Sequence, residues 1–211
     1  MKKKYDFCLT LMLLLMIFLM TMSGIQRKQE ALVSRIAPEI LRFHVLANSD
    51  SPEDQALKLE VKDLLLEAIP AQPTKEAVSS YIMFHSEELE ALAEDYMASQ
   101  GYSYPAVISL ETCDFPQKSY GDMTFPAGTY DAVRVVIGAG NGQNFWCVLY
   151  PALCYLDHTY AIVPDSSKDL LRNLIPEDDF LSLLTARHKK TEQESLLPRL
   201  KIRFKISELF D

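Results

Sequence analysis

The chain has 211 residues and a mass of 24.0 kDa, which suits one ordinary domain with short appendages. Hydrophobic residues make up 48% of the sequence and charged residues 24%, so the chain can bury a core and is not of the disordered class. A net charge of −8 argues against a nucleic-acid-binding protein, which needs a basic face. Four cysteines are too few for a miniprotein built on disulfides.

The N-terminal segment differs in kind from the rest of the chain. Lysines at 2–4 precede an uncharged, apolar run from Phe7 to Met22, a pattern typical of an export signal or signal anchor. The small residues near Ser23 and Gly24 form a poor cleavage site, so the sequence leaves cleavage open. We therefore divide the chain into a signal peptide or signal anchor over 1–25 and an exported domain over 26–211.

The exported part is acidic. Without residues 1–24 it carries 18 Lys and Arg against 28 Asp and Glu. Such a domain stays soluble and is repelled by anionic lipid headgroups. We expect it to contact the membrane only through its N-terminal segment and to meet a partner by specific contacts.

The first elements of the exported part are a strand and two helices. Residues 40–47 favour a strand. Ser51 then suits a helix N-cap, with Pro52 at the first helical position, and this helix ends before Pro70. A second helix is predicted over 74–100.

The later elements are mainly strands. We predict a strand over 104–113, a long surface loop over 114–130 and a β-hairpin over 132–150, whose central glycines and asparagine suit a turn. A helix over 165–190, broken near Pro176, precedes a C-terminal strand in which apolar and basic residues alternate over 200–206. Early helices and late strands predict an α+β fold with an antiparallel sheet.

The sequence contains no persuasive catalytic or metal-binding motif. The four histidines are scattered, and His44 within a predicted strand favours a structural, hydrogen-bonded role. The glycine-rich run 138–142 is followed by a strand instead of a helix N-terminus, which argues against a nucleotide site. We therefore predict no catalytic residues, no metal and no cofactor.

Two cysteines raise the question of a disulfide. Cys147 and Cys154 are seven residues apart, and a turn at Pro151 can bring their Cα atoms within bonding reach. The alternative, that both are small buried apolar residues, stays open at this point.

Three segments of the exported part are distinctive when taken together. They are RFHVLANSDSPEDQALKLEVKD at 42–63, FPAGTYDAVRVVIGAGNGQNFWCVLYPALCYLD at 125–157 and RLKIRFKISELF at 199–210. In these segments the chain resembles the stage II sporulation protein R family of endospore-forming bacteria.

The resemblance implies a signalling protein and not an enzyme. Members of the family are made in the forespore and exported into the space between forespore and mother cell. There they activate a membrane-embedded aspartic protease of the mother-cell membrane, the sigma-E processing peptidase, which removes the pro-sequence of sigma-E. We expect the same localisation, partner and activity for this chain.

Two groups of residues are our hypothesis for the contact with the protease. The first is the polar helix-start loop, and the second consists of aromatic residues taken as interface anchors. The members are Asn48, Ser49, Asp50, Ser51, Asp54 and Gln55 in the loop, and Phe125 and Trp146 among the aromatics. A structural role stays open for both groups, because a strand-to-helix turn needs the same polar residues for its own hydrogen bonds.

Two other functions remain as alternatives. One is an extracytoplasmic module that binds cell wall or a small molecule through the glycine-rich hairpin and its aromatics. The other is a hydrolase that uses Cys113 or Cys154 beside a histidine.

Overall fold

A computed structural model of the protein describes residues 2–154 and 163–184, with side chains from residue 9 onward. It confirms the α+β class. The helices are α1 (Lys2–Ile36), α2 (Pro52–Ala68), α3 (Lys75–Phe84), α4 (Ser86–Ser99), α5 (Asp165–Leu174) and α6 (Glu177–Leu183). The strands are β1 (Leu41–Leu46), β2 (Ala106–Phe115), β3 (Lys118–Tyr120), β4 (Met123–Phe125), β5 (Gly128–Ile137) and β6 (Asn144–Tyr150).

Helix α1 joins the apolar N-terminal segment to the domain without a break. Within the span from Leu9 to Glu39, the most apolar window of 18 residues has a mean hydropathy of 2.0 and is entirely exposed. By length and composition this helix can therefore cross a membrane. The end of the helix belongs to the domain, because Val33 and Ile36 are buried in the core and the Arg35 guanidinium donates two hydrogen bonds to Asp179.

Four strands form the main sheet in the order β2-β5-β1-β6. Strand β1 lies between β5 and β6, is parallel to β5 and antiparallel to β6, and is buried along its whole length. The prediction of a strand at this place is confirmed. The predicted hairpin over 132–150 is wrong, because β5 and β6 do not pair with each other. The sheet is mixed, since only the β1–β5 pair is parallel.

The connection between β5 and β6 explains this difference. Residues 138–143 cross the end of β1 instead of turning back on β5, so the connection spans two strand spacings, about 10 Å. On the way, the backbone N–H groups of Asn141 and Gly142 donate to the carbonyl oxygens of Asn48 and Ala47. The glycines allow the backbone to pass close to the end of β1. The sequence pattern indicated only that this segment could form a turn.

Two further predictions are corrected by local structure. The helix predicted over 74–100 is two helices, because α3 ends at Phe84 and its Tyr81 carbonyl accepts hydrogen bonds from the backbone N–H and Nδ1 of His85. The loop predicted over 114–130 contains the end of β2, the start of β5 and a two-stranded ribbon, β3–β4. The buried residues Tyr120, Met123 and Phe125 join this ribbon to the hydrophobic core of the domain.

The two faces of the main sheet are covered by different elements of the chain. Helices α2, α3 and α4 pack against β1 and β2 on one face. The face that carries Arg42 and Tyr130 is covered by Phe125 of the β3–β4 ribbon, which contacts α6 in turn. The break near Pro176 is present between α5 and α6, whereas the C-terminal strand predicted over 200–206 lies outside the described residues.

Candidate functional site

The hydrogen bonds of the polar loop between β1 and α2 converge on Asp54. Ser51 is the N-cap of α2 as predicted, and its Oγ accepts a hydrogen bond from the Asp54 N–H at 3.1 Å. The Asp54 carboxylate is only 4% exposed and accepts hydrogen bonds from Asn48 Nδ2 at 2.9 Å and from Ser49 Oγ. These bonds, that from Ser49 above all, lower the pKa of Asp54 and keep it charged.

The glycine-rich connection 138–143 packs directly against this loop. The N–H of Ala139 donates to Asn48 Oδ1 at 3.0 Å, and the N–H of Gln143 donates to Asp50 Oδ1 at 2.7 Å. A Cβ at Gly142 would collide with the carbonyl of Ser49, so this position requires glycine for close approach. We name residues 47–55 together with residues 138–143 the polar pole of the domain.

A buried lysine holds the two halves of the polar pole together. Lys58 is 5% exposed, and its Nζ donates to Gln143 O at 2.9 Å and to Gln55 Oε1 at 2.6 Å. Gln55 Nε2 in turn donates to Ser49 O at 2.9 Å. Burial lowers the pKa of Lys58, and the charge of Asp50 opposes this shift.

The sequence-predicted contact residues of the loop are therefore brought together, but mostly by bonds to one another. Asp54 is buried, whereas Asn48, Ser49, Ser51 and Gln55 are half-buried and Asp50 is exposed. The rim of the polar pole is the part available to a partner, and its exposed residues are Asp50, Pro52, Glu53, Ala139, Asn141 and Gln143.

The two predicted aromatic anchors have different environments. Phe125 is completely buried, so its prediction as an exposed anchor is wrong: the ribbon turns it onto the sheet, where its ring packs edge-on to Tyr120. Trp146 is half-buried, stacks on His44 with ring centroids 3.7 Å apart and meets the edge of Phe115. Trp146 thus lies at the margin of the core.

Sequence reasoning missed a buried cation on β1. Arg42 has no exposed surface, and its guanidinium carbon lies 4.6 Å from the ring centre of Phe115, 4.9 Å from that of Tyr130 and 5.8 Å from that of Phe125. Burial lowers the pKa of Arg42, and the neighbouring Tyr120 and Tyr130 oppose the shift. The only sequence signal was an arginine and a histidine at alternate positions of a strand that is otherwise apolar.

His44 lies two residues farther along the same face. It is 6% exposed, and burial together with the charge of Arg134 lowers its pKa to about 4. The imidazole is therefore neutral at physiological pH, and its stacking on Trp146 is the main contact that its ring makes.

Of the three cysteines whose side chains the structure describes, two form a pair and one is a free thiol. Cys147 and Cys154 form a disulfide with a Cα–Cα distance of 5.3 Å, which ties the end of β6 to the turn after it. Burial raises the pKa of the Cys113 thiol, the opposite of what a nucleophilic cysteine needs. Within residues 2–154 and 163–184, no three His, Cys, Asp or Glu side chains are grouped to hold a metal ion.

Comparisons with known proteins give the family. The model of the family "Stage II sporulation protein R" matches residues 37–160. The chain is 30% identical over 203 residues to the stage II sporulation protein R of Bacillus subtilis (strain 168), with 92% of this chain and 89% of that protein covered. No solved structure matches the chain. The chain therefore belongs to the stage II sporulation protein R family, which implies a role in sporulation.

Proposed function

We propose that this protein is an intercellular sporulation signal, made in the forespore and exported, which activates a membrane-embedded aspartic protease of the mother-cell membrane. The protease would be the sigma-E processing peptidase, and its activation would start the processing of pro-sigma-E. In this proposal the chain is not an enzyme, and it acts by binding. Family membership over most of the chain carries the proposal.

The exposed apolar helix supports export. Helix α1 is long and apolar enough to cross a membrane, and an apolar surface of that length is unfavourable in water. Because α1 continues into the domain as far as Ile36, an uncleaved helix would hold the domain close to the membrane that anchors it.

The position of the polar pole supports it as the contact surface. The end of α1 meets the sheet at the start of β5, where Val33 packs on Gly128. The polar pole lies at the other end of β5, ten residues or about 30 Å away. If α1 anchors the domain in one membrane, the polar pole faces away from the start of β5 and toward a partner in the opposite membrane.

Activation can be understood as a population shift. A partner that binds the active form of the protease more tightly than the inactive form raises the active fraction. A shift from 1% to 99% active needs about 5.5 kcal/mol of differential binding.

The test is reconstitution in a non-sporulating host. The cognate protease and pro-sigma-E are co-expressed with the full chain, with a version lacking residues 1–24, or with neither, and the size of sigma is followed by immunoblot. We expect cleavage of pro-sigma-E only in cells that express the full, exported chain. No cleavage with a folded, exported chain and a protease of proven competence would contradict the proposal and favour the ligand-binding alternative.

A pair of charge reversals tests the polar pole as the contact. Asp50→Arg changes the exposed rim, whereas Glu67→Arg makes the same change on an exposed position of α2 outside the polar pole. We expect Asp50→Arg to reduce cleavage of pro-sigma-E at least tenfold and Glu67→Arg to leave it unchanged. Equal cleavage by both variants, at equal amounts of folded protein, would show that the rim is not the contact.

A further inference from the structure

The guanidinium of Arg42 is a buried positive charge that has no counter-charge among residues 2–154 and 163–184. None of its three nitrogens makes a hydrogen bond of good geometry within the described part of the chain, although the side chain of Tyr120 lies close enough to help hold its charge, and none of the ion pairs there includes it. Its surroundings are the aromatic faces of Phe115, Tyr130 and Phe125. Cation–π contacts favour the charged form, but they leave its N–H donors unused.

Stability alone does not require a buried cation at this position. Buried polar groups are normally hydrogen-bonded, and replacing a buried charge by an apolar side chain of similar volume is often neutral or stabilising. The fork of N–H donors of a guanidinium is, however, complementary to a carboxylate, which accepts two parallel hydrogen bonds from it.

The cover over Arg42 is the β3–β4 ribbon, which is joined to β2 and β5 by short connections and to the residue after α6 by a bridge between Met123 and Leu184. Strands β3 and β4 pair only with each other in the sheet order, so no backbone ladder ties the ribbon to β5 or β1. The ribbon lies on the cage through Phe125 and through Tyr120, whose hydroxyl donates to Trp146 O at 3.3 Å.

A buried ion pair holds the tip of the ribbon. Asp122, in the turn between β3 and β4, accepts hydrogen bonds from Lys168 Nζ of α5 at 2.6 Å and from the N–H of Val163 at 2.8 Å. Asp122 is 1% exposed and Lys168 8% exposed. The ribbon is thus a cover with its own fastening, and breaking the ion pair removes one of the contacts at its tip, beside the bond from Val163 N–H and the bridge between Met123 and Leu184.

We infer that Arg42 is a covered binding site for a carboxylate of a protein partner, which enters the aromatic cage when the β3–β4 ribbon lifts. Given the proposed function, that carboxylate belongs to an acidic side chain of the protease. The binding energy of the new ion pair offsets the loss of the contacts between the ribbon and the sheet, so the partner selects the open form.

The first experiment measures opening and ligand class without any signalling assay. The full chain in detergent is treated with phenylglyoxal, which modifies arginines, and the modification of Arg42 is followed by mass spectrometry. Arg35, whose side chain is 51% exposed, is the internal reference. We expect Arg42 to react at least tenfold more slowly than Arg35 in the native chain, and at least fivefold faster in Asp122→Asn than in the native chain.

Benzoate is the probe for the site, because it combines a carboxylate with an aromatic ring. We expect benzoate to protect Arg42 of Asp122→Asn from modification at least threefold, and neutral benzamide and chloride at equal ionic strength to give no protection. Equal protection by chloride would overturn the assignment to a carboxylate. Failure of Arg42 to react in Asp122→Asn, with Arg35 fully modified, would overturn the ribbon as a cover.

The second experiment uses the reconstituted processing of pro-sigma-E. Arg42→Met keeps the length of the side chain and removes its charge and donors, and Arg42→Lys keeps the charge without the fork. We expect Arg42→Met to keep or raise the thermal midpoint while cleavage falls at least tenfold, and Arg42→Lys to give intermediate cleavage. Full cleavage by a folded Arg42→Met would overturn the inference. Absence of cleavage with the native chain would contradict the proposed function alone, because the modification experiment decides on Arg42 separately.

Discussion

At the scale of single residues, the central strand carries the features that distinguish this domain. Arg42 and His44 occupy one face of β1, where an ordinary buried strand would present aliphatic side chains. Both side chains are surrounded by aromatic rings, so the stability of their charged and neutral forms depends on contacts with these rings more than on solvent. Substitution at either position therefore tests how the fold tolerates a titratable group in its core.

His44 is expected to make stability depend on pH. Its pKa is about 4 in the folded chain and near 6.5 when unfolded, so the unfolded chain gains a proton first as pH falls. The stabilising contribution is complete above pH 6.5 and is lost toward pH 4, with a total of about 3 kcal/mol and about 2 kcal/mol lost by pH 5.

His44→Phe is the matched variant, since phenylalanine retains the stacking on Trp146 but does not titrate. The free energy of unfolding is measured in urea at pH 7 and at pH 5. Its decrease from pH 7 to pH 5 should be about 2 kcal/mol smaller in the variant than in the native chain. Parallel pH dependences of the two proteins would contradict the role assigned to His44.

At the scale of elements, the polar pole shows how one loop fixes another. Residues at the start of α2 supply an N-cap and a buried carboxylate, and the connection between β5 and β6 supplies backbone donors. The sequence predicted the cap from local chemistry. It did not predict the second set of bonds, because their partners are separated by about ninety residues.

Gly142→Ala tests this packing. The added methyl group meets the Ser49 carbonyl, so the two halves of the polar pole must move apart, and we expect a loss of about 1–3 kcal/mol. Gly101→Ala is the comparison: Gly101 has φ of +89° but no atom within 4 Å of an added Cβ, so only backbone strain of about 1 kcal/mol applies. A smaller loss at Gly142 than at Gly101 in urea unfolding would show that the contact is not rigid.

At the scale of the whole molecule, helix α1 belongs to two environments. Its most apolar window is entirely exposed, whereas its last turn contributes Val33 and Ile36 to the core and Arg35 to the ion pair with Asp179. The boundary between the exposed apolar segment and the folded domain therefore lies within a helix, and a family match that begins at residue 37 omits this turn.

Two truncations locate the boundary. Removal of residues 1–24 leaves the buried turn in place, so we expect it to fold. Removal of residues 1–36 deletes two buried side chains and an ion pair, and we expect it to lose about 4–6 kcal/mol. Urea unfolding compares the two; equal stabilities would mean that α1 contributes nothing to the domain.

The disulfide is expected to stabilise the end of β6. It closes a short loop between Cys147 and Cys154, and its removal is expected to cost about 2–3 kcal/mol. The chain unfolded with and without reducing agent should show this difference, whereas the double variant Cys147→Ser, Cys154→Ser should be insensitive to the reductant. A native chain that is equally insensitive would contradict a stabilising bridge.

The sequence by itself determined the features that depend on neighbours along the chain. These are the apolar helix, the strand at 41–46, the capped start of α2 and the break at Pro176, because periodicity, capping and proline geometry act over a few residues. Family membership was also evident from contiguous segments.

Only the tertiary structure decided which strands meet. Residues 138–143 have the composition of a tight turn whether they fold back on β5 or cross β1, so local chemistry does not distinguish a hairpin from the observed order β2-β5-β1-β6. The same limit hid the cage around Arg42, since Phe115, Phe125 and Tyr130 lie more than seventy residues away along the chain. Burial of that cation depends on packing between distant segments, which no short sequence window contains.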